Sequence, residues 1–207
     1  MDISVGTATN TAKTRSALLE SEERKIYNLY LWVFNSSGNV ECSREYSRAD
    51  LIQAATDLTT STGEVDADAP TSMGLLKNIS LTTGKKTLFL LANYKSDADG
   101  LFHVEPEVLN GISKYSDLEK VRAAMTVHTL FRPNGNLLMS LTQTVTVSTA
   151  TKQIEVSLKR SEAKITLNLQ TIAGLTFEPG TYRLGNVPGS TFIAEHAKGT
   201  DQTASWD

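Results

Sequence analysis

The chain has 207 residues, enough for one large domain or two small ones with a hydrophobic core. Its 20 basic and 23 acidic residues give a net charge of -3 without a basic block, which argues against a nucleic-acid-binding protein. Threonine and serine number 26 and 19 while aromatic residues make up only 7%, a composition that favours β-structure with polar faces. The single cysteine, Cys42, excludes an internal disulfide framework and a cysteine-rich zinc site.

The sequence contains no segment that we recognise as a targeting signal. The longest apolar run, residues 29–34, is far shorter than a membrane-spanning helix, and Met1 is not followed by the apolar core of a signal peptide. The chain is therefore expected to be either cytoplasmic or a mature form whose leader has been removed. Residues 199–207 resemble a linker, so we expect more protein to follow.

Alternation of apolar and polar residues predicts β-strands along the whole chain. The predicted strands are 3–7, 26–34, 40–46, 75–81, 86–93, 126–131, 137–147, 153–158, 163–169 and 181–187. The second of these is apolar on both faces, with Tyr27, Leu29, Leu31 and Val33 on one side and Tyr30, Trp32 and Phe34 on the other. Such a strand is either covered on both sides or has one face that awaits a partner.

Helical patterns are sparse. Ser116 and Glu119 form a capping-box pattern, and the apolar residues Leu118, Val121 and Met125 are spaced by three and four. Together these features predict a helix over 116–125. A second helix start is predicted at Ser47 and Asp50, and residues 59–72 are predicted to form a loop. About ten strands with one or two short helices indicate an all-β fold, a Greek-key β-sandwich.

The chemistry-bearing residues form no recognisable catalytic or metal-binding motif. The histidines lack metal-ligand spacing, no Gly-x-Ser-x-Gly segment occurs, and the segment at Gly84 fails the pattern of a phosphate-binding loop. Two acidic clusters lack a full calcium ligand set and are better explained as solvated loop charge. The histidines are His103, His128 and His196. The first acidic cluster is Glu64, Asp66 and Asp68, and the second is Asp97 and Asp99. The sequence predicts no enzyme, no cofactor and no metal, and a packing role for Cys42.

Four segments together resemble the Bacteroidales fimbrillins, the type V pilin subunits. Residues 23–39 resemble the early strand and turn of that family. Residues 84–93, which end in Leu-Leu-Ala-Asn93, are similar to a later strand of the family. Residues 154–165 are similar to a "Val-x-Leu-x-Arg-x-x-Ala-Lys-Ile" signature, and residues 182–188 to a "Leu-x-Asn-Val-Pro" strand. The four segments occur in the family's order and cover about residues 20 to 193.

The resemblance implies a structural pilus subunit, or an associated tip or anchor component, that supports cell adhesion. Fimbrillins are secreted lipoproteins with two transthyretin-like β-sandwich domains, so residues 1–193 would be the N-terminal domain. Residues 194–207 would then be a linker or the start of a missing C-terminal domain. The implied location is the cell-surface fimbrium, reached through the outer membrane after leader removal. The lipid-attachment cysteine of such a lipoprotein is not in this sequence.

The resemblance also implies a mode of assembly. In the family, a trypsin-like protease cuts after an arginine that follows the first strand, and loss of that strand opens a groove that a strand of another pilin subunit fills. Here the implied scissile residue is Arg15, with Arg24 as the second choice. An ordinary connecting loop with some positive charge is the alternative for this stretch. The implied partners are other pilin subunits and a host or bacterial surface ligand, with no nucleic acid.

A second interpretation of the sequence is that the protein is a carbohydrate- or host-binding adhesive lipoprotein on the same scaffold. Its loops, 59–72 and 95–115, would contact a glycan, and alternate aromatic residues such as Tyr30 and Trp32 would form a stacking platform. Alternate aromatic residues on a strand are more often part of the core, which is the favoured interpretation of these side chains. This reading requires that platform to be exposed. A hydrolase or transferase is a more distant alternative, which would need a pocket that joins a pair of carboxylates.

Overall fold

The structure, a computed structural model, describes residues 1–7, 25–54, 73–95, 102–125, 137–161 and 190–194. Ten strands lie within these ranges. They are β1 Asp2–Thr7, β2 Leu29–Phe34, β3 Val40–Tyr46, β4 Met73–Leu76, β5 Gly84–Ala92, β6 Phe102–His103, β7 Arg122–Met125, β8 Met139–Val147, β9 Gln153–Arg160 and β10 Ser190–Phe192. The helices are 48–54, Pro106–Asn110 and Tyr115–Leu118. The predicted all-β fold with short helices is confirmed.

Several sequence predictions fall on other parts of the chain. The predicted strands 126–131, 163–169 and 181–187 and the predicted loop 59–72 lie outside the described residues. The division of the chain at residue 193 into a domain and a following segment stays a prediction.

The strands form two sheets, and the larger one encloses a core between its own two halves. Its order is β3-β2-β5-β8-β9-β1-β4, and the smaller sheet has the order β10-β7-β6. Strands β8 and β9 pair only where Met139 and Ser140 meet Arg160 and Lys159. Beyond these pairs β8 continues beside β5 and β9 continues beside β1, so the sheet separates into two halves. Apolar side chains from both halves share one buried cluster, which is the first core.

Strand β2 is buried on both faces, as its sequence requires. All six of its residues are buried. Leu29, Leu31 and Val33 point into the first core, while Tyr30, Trp32 and Phe34 point into a second core. Of the two predicted possibilities for this strand, coverage on both sides is the one observed.

The second core lies between β2 and β5 on one side and short elements on the other. The small sheet and the helices Pro106–Asn110 and Tyr115–Leu118 contribute buried residues that include Leu109 and Leu118. Backbone hydrogen bonds attach this layer to the β2–β3 turn: the N–H of Tyr115 donates to the carbonyl of Gly38 at 2.8 Å. Gly38 has a φ of +77°, a conformation that glycine adopts without steric cost.

The predicted helix over 116–125 is wrong beyond Leu118. The helix covers only Tyr115–Leu118, and the chain then enters β7, whose alternation buries Ala123. The capping residue is Asp117, whose carboxylate accepts the N–H of Lys114 at 3.0 Å, and Ser116 is exposed. Apolar spacings of two, three and four overlap in so short a segment, so periodicity alone could not separate a helix from a strand.

The second predicted helix start is confirmed. The N–H of Asp50 donates to the hydroxyl oxygen of Ser47 at 3.3 Å, and the N–H of Ser47 donates to the Asp50 carboxylate at 2.8 Å. These reciprocal bonds satisfy amide groups that a helix start leaves unpaired, and residues 48–54 are helical.

A buried ion pair joins β3 to β5 beside the end of β2. Lys86 is only 2% exposed, and its ammonium group donates to the Glu41 carboxylate and, at 2.6 Å, to the hydroxyl of Thr82. The N–H of Thr82 also donates to Glu41. Burial raises the pKa of Glu41, but the hydrogen bonds from Lys86 and Thr82 outweigh it and hold that pKa below its usual value.

This ion pair gives a pH-dependent prediction for Glu41→Gln. Because the pKa of Glu41 is lower in the folded protein, its stabilising effect is present at neutral pH and is lost as the pH falls through the folded pKa. We expect the variant to lose about 2 kcal/mol of unfolding free energy at neutral pH. The loss should shrink in urea titrations as the pH is lowered through the folded pKa of Glu41, which lies below the usual value for a glutamate.

The matched control is Glu155→Gln on β9, where the side chain is exposed. It should change the unfolding free energy by less than about 0.5 kcal/mol at either pH. A Glu41→Gln difference that is the same at neutral and acidic pH would contradict the assigned role of the carboxylate.

Candidate functional site

Strand β1 lies inside the larger sheet and is paired along both edges. Its partner on one side is β9, which runs parallel to it from the pair Asp2–Gln153 to the pair Thr7–Leu158. Its partner on the other side is β4, which runs antiparallel to it. A strand in this position cannot leave without exposing unpaired amide and carbonyl groups on two neighbours.

The inward face of β1 fills an apolar slot in the first core. Ile3 is 0% exposed and Val5 is 2% exposed, while Ser4 and Gly6 alternate with them and are half-buried. Burial of two aliphatic side chains of this size contributes about 3–6 kcal/mol in total. The strand predicted from this alternation is confirmed, and its side chains are part of the first core.

The start of β1 is held by the segments that flank its partners. The N–H of Asp2 donates to the carbonyl of Lys152 at 2.9 Å, and the N–H of Ile79 donates to the carbonyl of Met1 at 3.0 Å. The Asp2 carboxylate also accepts the N–H of Asn78 at 3.2 Å. These bonds fix the register of β1 against both neighbours.

A second fixed point lies in residues 25–28, which we call the lead-in to β2. The side chain of Asn93, at the end of β5, is 0% exposed and makes three hydrogen bonds to backbone groups. Its carbonyl oxygen accepts the N–H of Tyr27 at 2.8 Å. Its amide nitrogen donates to the carbonyls of Lys25 and Leu137, both at 2.9 Å. One side chain thereby joins the lead-in to β5 and to Leu137, two residues before the start of β8.

Further contacts hold the lead-in in place. The backbone N–H of Asn93 donates to the carbonyl of Asn28, and the N–H of Tyr94 donates to the Asn28 side chain, both at 3.0 Å. Ile26 is buried in the first core, and the guanidinium of Arg48 lies 4.6 Å from the centre of the Tyr27 ring. Sequence reasoning missed this arrangement. The available signal was an asparagine directly after an apolar strand, a residue that tolerates the positive φ of 60° found at Asn93.

The candidate processing residues Arg15 and Arg24 lie in 8–24, outside the described residues. The structure describes the chain on either side of them, namely β1 and the lead-in. Of the two proposed glycan-contacting loops, 59–72 is also outside, and so are residues 96–101 of the loop 95–115. The described residues 102–115 form β6, the helix Pro106–Asn110 and the start of the helix Tyr115–Leu118.

The aromatic residues of β2 do not form an exposed platform. Trp32 is 0% exposed and Tyr30 is 9% exposed, and their rings stack on each other at 3.8 Å inside the second core. Their interpretation as core residues is confirmed, and the alternative that they stack on a sugar is wrong, because the small sheet and its helices cover this face of β2. The adhesive reading loses the feature on which it depended.

The described residues offer little for metal or thiol chemistry. Within them no group of three His, Cys, Asp or Glu side chains lies close enough to hold a metal ion. His103 pairs with Glu105 at 3.4 Å. Cys42 is half-buried against the first core, and burial raises its pKa despite the opposing charge of Arg44. A raised pKa disfavours the reactive thiolate and fits a packing role.

A cleft of about 270 Å³ lies where the paired ends of β8 and β9 face β10. Its lining residues are Ser140, Leu141, Thr142, Lys159, Arg160, Ser161, Thr191, Phe192, Ile193 and Ala194. None of these is a carboxylate, so this cleft does not supply the acid–base pair that a hydrolase reading would need.

Across the described residues, no helix is both long and apolar enough to cross a membrane.

Comparison with known proteins places these features in a family. No curated protein matches the chain. Among solved structures, a fimbrial assembly protein from Parabacteroides distasonis is 16% identical with a TM-score of 0.46, covering 77% of this chain and 51% of that one. The tip fimbrial protein Mfa3 from Porphyromonas gingivalis is 18% identical with a TM-score of 0.39, covering 77% and 48%. The chain thus spans about half the length of these solved proteins.

The family described as major fimbrial subunit protein (FimA) matches residues 1–191, which is most of the sequence and includes every strand from β1 to β9. The resemblance seen in the sequence segments is thereby confirmed. The chain belongs to the major fimbrial subunit protein (FimA) family.

Proposed function

We propose that the protein is a structural subunit of a surface fimbrium, in a stalk, tip or anchor role, and that it assembles by β-strand exchange to support adhesion. Membership of a fimbrial subunit family supports the first part. The observation that carries the second part is the place of β1, which is paired on both edges and also closes the first core. A strand that is paired on both edges can be replaced by an equivalent strand from another molecule once it is cut from the rest of its chain.

The mechanism follows from what β1 leaves behind. After the chain is cut between β1 and β2, departure of β1 exposes the edges of β9 and β4 and the slot that Ile3 and Val5 occupied. Unpaired edges and an apolar slot are both unfavourable in water. A donor strand from another subunit restores both if it carries apolar side chains at two positions separated by one residue.

Processing is proposed after Arg15, with Arg24 as the second choice. The support is the anchored lead-in: the carbonyl of Lys25 and the N–H of Tyr27 are both bound by Asn93. A protease needs several residues on each side of the cut in extended, accessible form. Arg24 directly precedes the anchored residues, whereas Arg15 lies well before them.

The remaining parts of the proposal come from the family resemblance. We propose a transthyretin-like N-terminal domain in a lipoprotein that reaches the fimbrium through the outer membrane after leader removal. Its partners are other fimbrial subunits and a ligand on a host or bacterial surface.

Strand exchange predicts a change of association after proteolysis. An arginine-specific, trypsin-like protease should cut the full-length protein near Arg15, and the cut protein should then form oligomers on a sizing column. Excess peptide with the sequence of residues 1–7 should suppress the oligomers, because it refills the slot. Cleavage near Arg15 that leaves the elution volume of the protein unchanged would contradict the strand-exchange mechanism.

The matched control is the same peptide with Ile3→Asp and Val5→Asp. Each buried carboxylate would cost several kcal/mol in the apolar slot, so this peptide should leave the oligomers intact. Equal suppression by both peptides would mean that the slot is not the site of association.

The choice of scissile residue is tested by Arg15→Ala and Arg24→Ala. The unmodified protein should yield a product that begins at Ser16, identified by intact mass and N-terminal sequencing. Arg15→Ala should abolish this product and the oligomers that follow it, while Arg24→Ala should leave both unchanged. The opposite result would assign processing to Arg24.

A further inference from the structure

We infer that Asn93 is the residue that sets the downstream limit of proteolytic processing, because its side chain shields the Lys25–Ile26 bond and its neighbours. This inference rests on the proposed cleavage between β1 and β2. It assigns a specificity-determining role to a side chain that lies far from the cut in sequence.

The shielding acts on the atoms that a serine or cysteine protease must engage. The carbonyl oxygen of the cleaved bond has to enter the oxyanion hole of the protease, where it accepts hydrogen bonds. The carbonyl oxygen of Lys25 already accepts a hydrogen bond from the Asn93 amide at 2.9 Å. A protease must therefore break this bond before it can cut after Lys25.

The residues on the far side of that bond are held as well. Ile26 is 6% exposed in the first core, and the N–H of Tyr27 donates to the Asn93 carbonyl oxygen at 2.8 Å. Binding to a protease would require these residues to leave the fold together. The same contacts shield a cut immediately before Lys25, since Ile26 and Tyr27 would again have to enter the protease cleft.

The side chain and the backbone conformation of Asn93 both suit this role. An asparagine side chain offers a donor and an acceptor at once, which is what the carbonyl of Lys25 and the N–H of Tyr27 require. Asn93 also has a φ of 60°, so it holds the turn after β5 without the steric cost that most residues incur there. An apolar residue of similar size would supply neither bond.

The test is limited trypsin digestion of the full chain, with Asn93→Gly compared with the unmodified protein. Glycine keeps the positive φ without strain and removes the hydrogen bonds of the side chain. The rate at which a native protein is cleaved through local opening follows the population of the open form. Loss of two hydrogen bonds to the lead-in should raise that population roughly 10- to 30-fold. Products that begin at Lys25 or Ile26 should therefore form that much faster, as measured by mass spectrometry.

The matched control is Asn78→Gly, at the other described asparagine with a φ of 60°. Asn78 is exposed, and the same substitution there should leave the cleavage rate at Lys25 unchanged. Asn93→Asp is a second variant. It keeps an acceptor for Tyr27 but places oxygen against the carbonyls of Lys25 and Leu137, so it should also increase cleavage.

Cleavage after Lys86 distinguishes local shielding from general destabilisation. Lys86 is 2% exposed within β5, so trypsin reaches it only through extensive unfolding. The inference requires that Asn93→Gly accelerates cleavage at Lys25 much more than at Lys86. Equal acceleration at both sites, or an unchanged rate at Lys25, would overturn it. Neither rate depends on oligomer formation, so failure of strand exchange would leave this test unaffected.

Discussion

The fold depends on the burial of β2, a strand without a polar face. Its six side chains are apolar or aromatic and alternate between two cores. A sheet strand of this kind is stable only when a layer of protein covers each side. The half-sheet that contains β1 covers one face, and the small sheet with its helices covers the other. The slot for β1 therefore exists because the inner face of β2 needs a cover.

This arrangement makes β1 both necessary and replaceable. Among its described side chains, Ile3 and Val5 point into the first core, and the Asp2 carboxylate accepts the N–H of Asn78. Its pairing with β9 and β4 is made by backbone hydrogen bonds, which any strand of the right direction could make. While a covalent link joins β1 to β2, its effective concentration at the slot is high, on the order of millimolar. A cut in the link removes that advantage, while the pairing of β1 with β9 and β4 does not itself depend on the link. The free strand then competes with donor strands at their actual concentrations.

The sequence predicted those features that depend on neighbouring residues. The alternation of side chains identified β2 and β9 correctly, because consecutive residues of a strand point to opposite faces of the sheet. The parallel pairing of β1 with β9 joins residues 2–7 to residues 153–158, and no local pattern specifies a pairing between segments so far apart in sequence. The end of the helix at Leu118 was missed because Val121 and Ala123 satisfy a strand as well as a helix.

The aromatic residues and Asn93 show the same limit at the level of the site. Alternate aromatic side chains on β2 favour a core over a sugar platform, but only the cover provided by other elements decides between them. The sequence placed Asn93 at the end of a strand, but its three partners come from two distant segments. Such hydrogen bonds across the fold become visible only when the segments are brought together.

Two fixed points of the fold now bracket the link between β1 and β2. Before the link, β1 is held by β9 and β4, and after it the lead-in is held by Asn93 and by the burial of Ile26. Because none of the three side-chain hydrogen bonds of Asn93 involves β1, departure of the strand leaves these bonds to the lead-in in place. The first core then keeps the wall that Leu29, Leu31 and Val33 provide. An incoming strand thus meets a slot that is already shaped to receive it, which lowers the ordering cost of assembly.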